Sequence, residues 1–264
     1  MRIVSLMTDF GTGDFKIGSM SGVILSLAPE TKLVDLTHDI PPHDVLDAAV
    51  ILSRYFYYFP PYSIHVVVVD PGVEISPRAI AASIKDQIFV GPDNGIITIV
   101  YQEAIKNQWP IRIVHTNQQE FWMPDVSHII HGRDVFAAIA GHLSSGIDIQ
   151  DLGKEISNPV LLDLPEPVIS SREIHGIVMR VDHFGNLETN IDQSLVKQYD
   201  KILIKCNSYI IDGLVDTFGN AKEGDLVAMI DSSGQLSICV VNGSAKKILN
   251  AGFGTLVDIF IHDL

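Results

Sequence analysis

Cysteine is scarce in this chain of 264 residues, which holds only Cys206 and Cys239. The two form no C-x-x-C pair and lie in stretches that read as strands. A disulfide scaffold and a cysteine-built zinc site are thereby excluded, and the thiols read as small buried hydrophobes in a reducing, cytoplasmic setting. Positive charge is also in short supply: 18 Lys and Arg stand against 32 Asp and Glu, a formal net charge of −14 that opposes broad attraction to nucleic acid or anionic lipid. Charged residues make up only 19% of the chain and hydrophobic ones 47%, which excludes a disordered chain and points to more buried surface than one monomer of this size needs. Long apolar runs are missing: the stretch from Ile64 to Val69 falls far short of the ~18 residues of a membrane helix. The opening Met1-Arg2-Ile3-Val4-Ser5-Leu6 reaches Thr8, Asp9 and Gly11 at once, so it does not read as a signal peptide.

Several ligand motifs are absent as well. Gly11-Thr12-Gly13 is followed by Asp14-Phe15-Lys16, which breaks the dinucleotide fingerprint, and no G-x-x-x-x-G-K-[ST] loop or G-x-S-x-G elbow occurs.

What is present alternates in period. Ile3 to Met7 reads as a buried strand, and Ile17, Met20, Val23, Ile24 and Leu27 then recur at helical spacing until Pro29. Lys32 to Leu36 reads as a second strand, and a helix starting at Pro41-Pro42-His43-Asp44 carries Val45, Ala48, Ala49, Leu52 and Phe56 on one face. Ile64 to Val69 is a β-branched run of the kind buried on both faces of a parallel sheet, ending at Asp70-Pro71-Gly72. Further strands are expected at Ala79 to Ser83, Ile88 to Val90 and Ile111 to Val114, with a helix over Gly132 to Leu143. Past Leu164-Pro165-Glu166-Pro167 come short β-rich runs, at Ile174 to Val181, Lys201 to Lys205, Ser208 to Ile211, Asp225 to Ile230, Gln235 to Val241 and Leu256 to Ile261. The expectation is an α/β domain over residues 1–162 with a mostly parallel central sheet, followed by a smaller all-β, barrel-like domain over 163–264.

Ligands bind beyond the carboxyl ends of the strands in an open α/β sheet, so the loops after predicted strands are where function is sought. Four are rich in polar groups: Thr8 to Asp14, Asp35 to His38, Asp70 to Gly72 with Arg78 downstream, and His131 to Asp134. Asp9, Asp35, His38, Asp70 and His131 could each ligate a metal, yet no pair has the tight i, i+4 or H-x-H spacing that fixes two ligands on one element, so no metal is expected. His38 and His43 read as hydrogen-bonded loop residues that can also line a pocket. Asp93-Asn94-Gly95 reads as a turn, and Arg133 with Asp134 as a pair at a helix start. An acidic rim of this kind fits a metal-dependent hydrolase or a non-catalytic binding protein as well as a metal-free enzyme.

Taken in order, the motifs Thr8-Asp9-Phe10-Gly11, Asp35-Leu36-Thr37-His38, Val68-Val69-Asp70-Pro71-Gly72-Val73, Gly91-Pro92-Asp93-Asn94-Gly95, His131-Gly132-Arg133-Asp134, Asp182-His183-Phe184-Gly185-Asn186 with Thr189-Asn190, and Gly243-Ser244-Ala245 are more specific than any one of them. In this set the chain resembles the S-adenosyl-L-methionine hydroxide adenosyltransferases and their relatives the fluorinase and chlorinase, from residue 1 to about residue 260. The resemblance implies a trimer with the substrate between the N-terminal domain of one subunit and the C-terminal domain of the next. It also implies hydrolysis to adenosine and L-methionine by attack of water or hydroxide at ribose C5′, with no cofactor and no metal.

By the same resemblance Asp70, Arg78 and His131 handle the water. Asp9 holds the ribose hydroxyls, Asp14 and Asp182 lie near the methionine amino group, Phe184 and Asn186 line the adenine side, and Ser232 contacts the methionine; His43 is placed with the substrate-binding residues. Carboxylates suit a ligand that carries a sulfonium, an ammonium and a diol. The sulfonium is already a good leaving group, so the enzyme's work is to hold a water in line behind C5′ and to orient or deprotonate it. Arg78 is permanently protonated and acts by fixing or polarising, never as a base. The family pattern usually reads Asp-Pro-Gly-Val-Gly with an arginine seven residues after the aspartate; here Glu74 replaces the glycine, Pro77 holds the seventh place and Arg78 the eighth. His131-Gly132-Arg133-Asp134 is intact, and the halogenating relatives carry another residue where His131 stands, so the resemblance favours hydroxide over halide.

Overall fold

A computed structural model describes residues 2–69, 78–127 and 129–262. The chain divides into two compact units, Met1–Leu162 and Asp163–Leu264.

The first unit is built on a seven-stranded mixed sheet. Its elements in order are β1 (Ile3–Thr8), α1 (Lys16–Leu27), β2 (Lys32–Thr37), α2 (Val45–Tyr55), β3 (Ile64–Val68), β4 (Ala79–Ile84), β5 (Gln87–Pro92), α3 (Thr98–Lys106), β6 (Ile111–His115), a π-helix (Gly132–Ala137), α4 (Ala138–Ser145) and β7 (Lys154–Ile156). The strand order is β2-β1-β3-β5-β4-β6-β7. The pairings β2–β1, β1–β3 and β3–β5 are parallel, whereas β5–β4, β4–β6 and β6–β7 are antiparallel. The parallel half is where the sequence alternates strand and helix. The antiparallel half begins where only Lys85 and Asp86 separate β4 from β5, too short a link for a helical crossover.

Helices cover both faces. Val66 and Val68 of β3 pack with Val4 and Leu6 against Met20 and Ile24 of α1 and Ile139 and Leu143 of α4. Val67 and Val69 turn the other way, onto Ala48 and Leu52 of α2 and Val100 and Ala104 of α3. This two-faced burial is why the run from Ile64 to Val69 shows no polar alternation. Asp44 caps α2 by accepting the Asp47 N–H at 2.9 Å.

The second unit contains β8 (Val168–Ile169), β9 (Glu173–Val181), β10 (Leu187–Asp192), a helical turn α5 (Gln193–Val196), β11 (Ile202–Cys206), β12 (Tyr209–Asp212), β13 (Leu226–Ile230), β14 (Gln235–Val240), a short helix α6 (Ala245–Leu249) and β15 (Leu256–Ile261). Its strands form an antiparallel sheet in the order β12-β11-β15-β9-β10-β14-β13, with β8 added on β9. The end strands β12 and β13 approach one another, so the sheet nearly closes into a barrel. Alternate residues of β9 and β10, among them Ile174, Val178, Leu187 and Ile191, fill its interior with Ile204, Ile238 and Ile259. Cys206 and Cys239 are free and buried, and burial pushes their thiols up to about 11 and about 12.

Candidate functional site

Parallel pairing makes the carboxyl ends of β1, β2 and β3 level: Met7 is opposite Thr37 and Val67, and Thr8 opposite Val68. The loops carrying Asp9 and His38 therefore leave the sheet from one rim. They are tied together there. Thr8 Oγ1 lies 2.9 Å from His38 Nδ1, and the Gly11 N–H donates to the His38 carbonyl at 2.8 Å. His38 Nε2 is 3.3 Å from Asp35 Oδ1 but outside hydrogen-bond geometry, and the ring is buried. Asp9 Oδ2 accepts the His43 backbone N–H at 3.0 Å and so holds that residue in a left-handed conformation, φ 67°. Asp9, His38 and His43, singled out separately in the sequence, form one cluster.

Asp14 is exposed at the same loop. The Lys16 ammonium, 3.1 Å away, holds its carboxyl below the usual range, helped by the Phe15 N–H. Lys16 also reaches over the Phe10 ring, and that ring packs on Gly132, the residue after His131. A Cβ at Gly132 would meet Phe10 at 3.1 Å, so glycine lets the start of the π-helix close on the aromatic ring. His131, the preceding residue, is thereby set beside the loop after β1. The expected α-helix over Gly132 to Leu143 opens instead as a π-helix, with the Ile130 carbonyl accepting from both the Arg133 and Asp134 N–H groups.

Asp134 is almost fully buried. Its Oδ1 accepts from Arg133 Nε at 2.5 Å and its Oδ2 from Arg133 Nη2 and the Ser127 N–H, while its carbonyl accepts the Met123 N–H. Burial works against its ionisation, but Arg133, the Ser127 N–H and His131 outweigh it and hold the carboxyl below the ordinary value. Arg133 and Asp134 do more than start a helix: they pin the chain from Met123 to Ser127.

Asp70 lies outside the described residues, as do Glu74 and Pro77. Arg78 is engaged elsewhere. Its Nε and Nη2 both donate to Asp93 Oδ2, at 2.9 and 2.5 Å, and Nη2 and Nη1 donate to the carbonyl and side chain of Asn158. Asp93 was legible only as a turn residue because its partner sits 15 positions earlier in the chain.

In the second unit, the turn between β9 and β10 holds three of the expected residues. Asp182 accepts from the Asn186 N–H and Nδ2, both at 2.8 Å, and Phe184 projects at the tip, 75% exposed. Gly185, φ 87°, could carry no Cβ, since Ser244 Oγ would lie 2.1 Å from it, and the Gly185 carbonyl accepts the Lys246 N–H. The turn is therefore docked on the start of α6. Ser232 is not brought to it. Leu187 is opposite Ile238 but Asp192 is opposite Gln235, so the turn carrying Ser232 lies at the far end of β10, roughly 17 Å along the strand at ~3.4 Å per residue. Ser244, quoted in a motif but given no role from sequence, is the serine at the Asp182–Asn186 end.

Comparison with known proteins places the chain in a family. A model of the SAM hydroxide adenosyltransferase N-terminal domain matches residues 4–153, and one of the C-terminal domain matches 176–258. A protein of Salinispora tropica named (R)-S-adenosyl-L-methionine hydrolase is 34% identical over 250 residues, 93% of each chain, and one of that name from Methanocaldococcus jannaschii is 32% identical over 98% of this chain and 96% of its own. A fluorinase of an Actinoplanes species is 24% identical over 89% of this chain and 90% of its own. The crystal structure of an uncharacterized conserved protein from Thermotoga maritima superposes with a TM-score of 0.89 at 31% identity, covering 97% of this chain and 99% of that one. With both of its units matched in order, the chain belongs to the SAM hydroxide adenosyltransferase family.

Proposed function

We propose that this protein hydrolyses S-adenosyl-L-methionine to adenosine and L-methionine by attack of water or hydroxide at ribose C5′. The observation that carries the reading is the likeness over nine-tenths or more of the chain, at 32–34% identity, to proteins named for that hydrolysis. The new C5′–O bond forms as the C5′–S bond breaks. The electron pair of that bond stays on sulfur as neutral methionine thioether, and the water gives up one proton.

Asp70 and His131 orient the water and take its proton, and Arg78, the third residue of the set, supports them without acting as a base. Contact through Phe10 and Gly132 supports placing His131 beside Asp9, which meets the ribose diol; His43 and Asp14 line the same loop cluster. Asp182, Phe184 and Asn186 form the second half of the binding site, on the C-terminal unit. Ser244 takes the place first given to Ser232, because it shares their end of the barrel. The assembly is a homotrimer with sites at subunit interfaces, working in the cytoplasm without metal or cofactor. No helix among the described residues is long and apolar enough to cross a membrane.

The test is a product assay on purified protein. Adenosine and methionine should form in equal amounts from S-adenosylmethionine, and His131→Ala should abolish most of the turnover. Tight binding with no adenosine formed would leave a binding protein and overturn the reading.

A further inference from the structure

Arg78 and the exit of β3 are held by two adjacent residues of one turn. Asp93 has a fully buried carboxylate side chain. Its Oδ2 takes both Arg78 donors, its Oδ1 accepts the Val160 N–H at 2.8 Å, and its own N–H donates to the Arg78 carbonyl at 2.7 Å. Asn94 faces the other strand. Its Nδ2 donates to the Val69 carbonyl at 2.8 Å, while its Oδ1 accepts the Ile96 N–H. Val69 and Arg78 are the described residues that flank 70–77, and both are fixed from this turn. Four of the five guanidinium N–H groups of Arg78 are used on Asp93 and Asn158. A guanidinium so committed has little left for a water molecule.

We propose that Asp93 and Asn94 are positioning residues for the hydrolysis, and that Arg78 serves the reaction by anchoring to Asp93 and not by touching the water. The inference rests on the hydrolase reading above. A small misplacement of a catalytic group costs about 10²-fold in rate, so two carbonyls and one guanidinium held at hydrogen-bond distance are a means of setting turnover without contacting substrate. A buried carboxylate also makes a specific demand: removing its cation leaves a charge uncompensated, whereas removing both charges together does not.

The experiment is a double-mutant cycle read as kcat and KM for S-adenosylmethionine, with a thermal melt of each protein. Arg78→Gln should lower kcat by about 50-fold or more with KM within about threefold, and adding Asp93→Asn should recover at least about fivefold of that loss. Asn94→Ala, which leaves the ion pair intact, should lower kcat about tenfold with KM nearly unchanged, giving a second readout if Arg78→Gln does not fold. Losses that multiply in the Arg78→Gln/Asp93→Asn protein would show that Arg78 acts directly on the water and would overturn the proposal. So would full turnover in Asn94→Ala. Absence of adenosine from the wild-type protein would instead contradict the hydrolase reading, and the positioning role with it.

Discussion

At the scale of single residues the site divides by what each side chain can do to a rate. On the proposed roles, His131→Ala and Asp70→Asn remove proton handling and should lower kcat by about 10²–10⁴-fold with little change in KM. Asp9→Ala should chiefly raise KM if, as proposed, its carboxylate meets the ribose diol; steady-state kinetics on the three proteins separate the effects, and unchanged KM in Asp9→Ala would remove the ribose assignment. Arg133→Ala tests a different matter. It strands the buried Asp134 carboxylate and should lower the midpoint of urea unfolding, by less than the loss of a fully buried pair because the guanidinium is partly exposed. Asp134 titrates below its ordinary value in the folded protein, so its stabilisation is present above the unfolded carboxylate pKa and is lost as pH falls through the folded one. These roles were unevenly legible. Asp9 and His131 sit on strand-end and helix-start signals, and Arg133 with Asp134 reads as a helix-start pair, whereas the Arg78–Asp93 pair and the hold of Asp134 on Met123 and Ser127 depend on tertiary contacts that no spacing in the sequence encodes.

Elements were read best where one physical cause governed them. The strand from Ile64 is buried on both faces and needed only its β-branched run. By contrast β10 alternates buried and half-buried residues along Leu187–Asp192, a clean period of two, yet it is absent from the expected strands, because its Asn and Asp content weakens the strand signal. The π-helix was read as ordinary helix, because apolar spacing does not distinguish the two. His65 of β3 gives the sheet its own pH response. It is buried beside Ser5 and Gln87 and stacked on Phe89, and burial lowers its pKa to about 4. The unfolded chain therefore binds more protons between about pH 4 and 6.5, and stability rises with pH across that window by about 3 kcal/mol in all. Urea melts of the wild type and His65→Gln should show this slope and its loss. On the second unit, Gly185→Ala combines a left-handed φ with a backbone pressed on Ser244, and should lower stability by about 1–3 kcal/mol in a thermal melt.

For the whole molecule, the division into an α/β unit and a β unit was visible as a change of texture near Asp163, but strand order was not: the antiparallel insertion of β4 between β5 and β6 leaves no periodic trace. High apolar content is explained by the proposed trimer, which light scattering coupled to size-exclusion chromatography checks directly; a monomer would remove the shared site. Turnover should survive dialysis against EDTA, and its loss would favour a metal-dependent mechanism instead. The central claim is that water is the nucleophile at C5′. It is tested most directly by running the reaction in ¹⁸O-labelled water and reading both products by mass spectrometry. Adenosine carrying one heavy oxygen at C5′, with unlabelled methionine, is the predicted result; no adenosine, or adenosine without the label, would contradict the account.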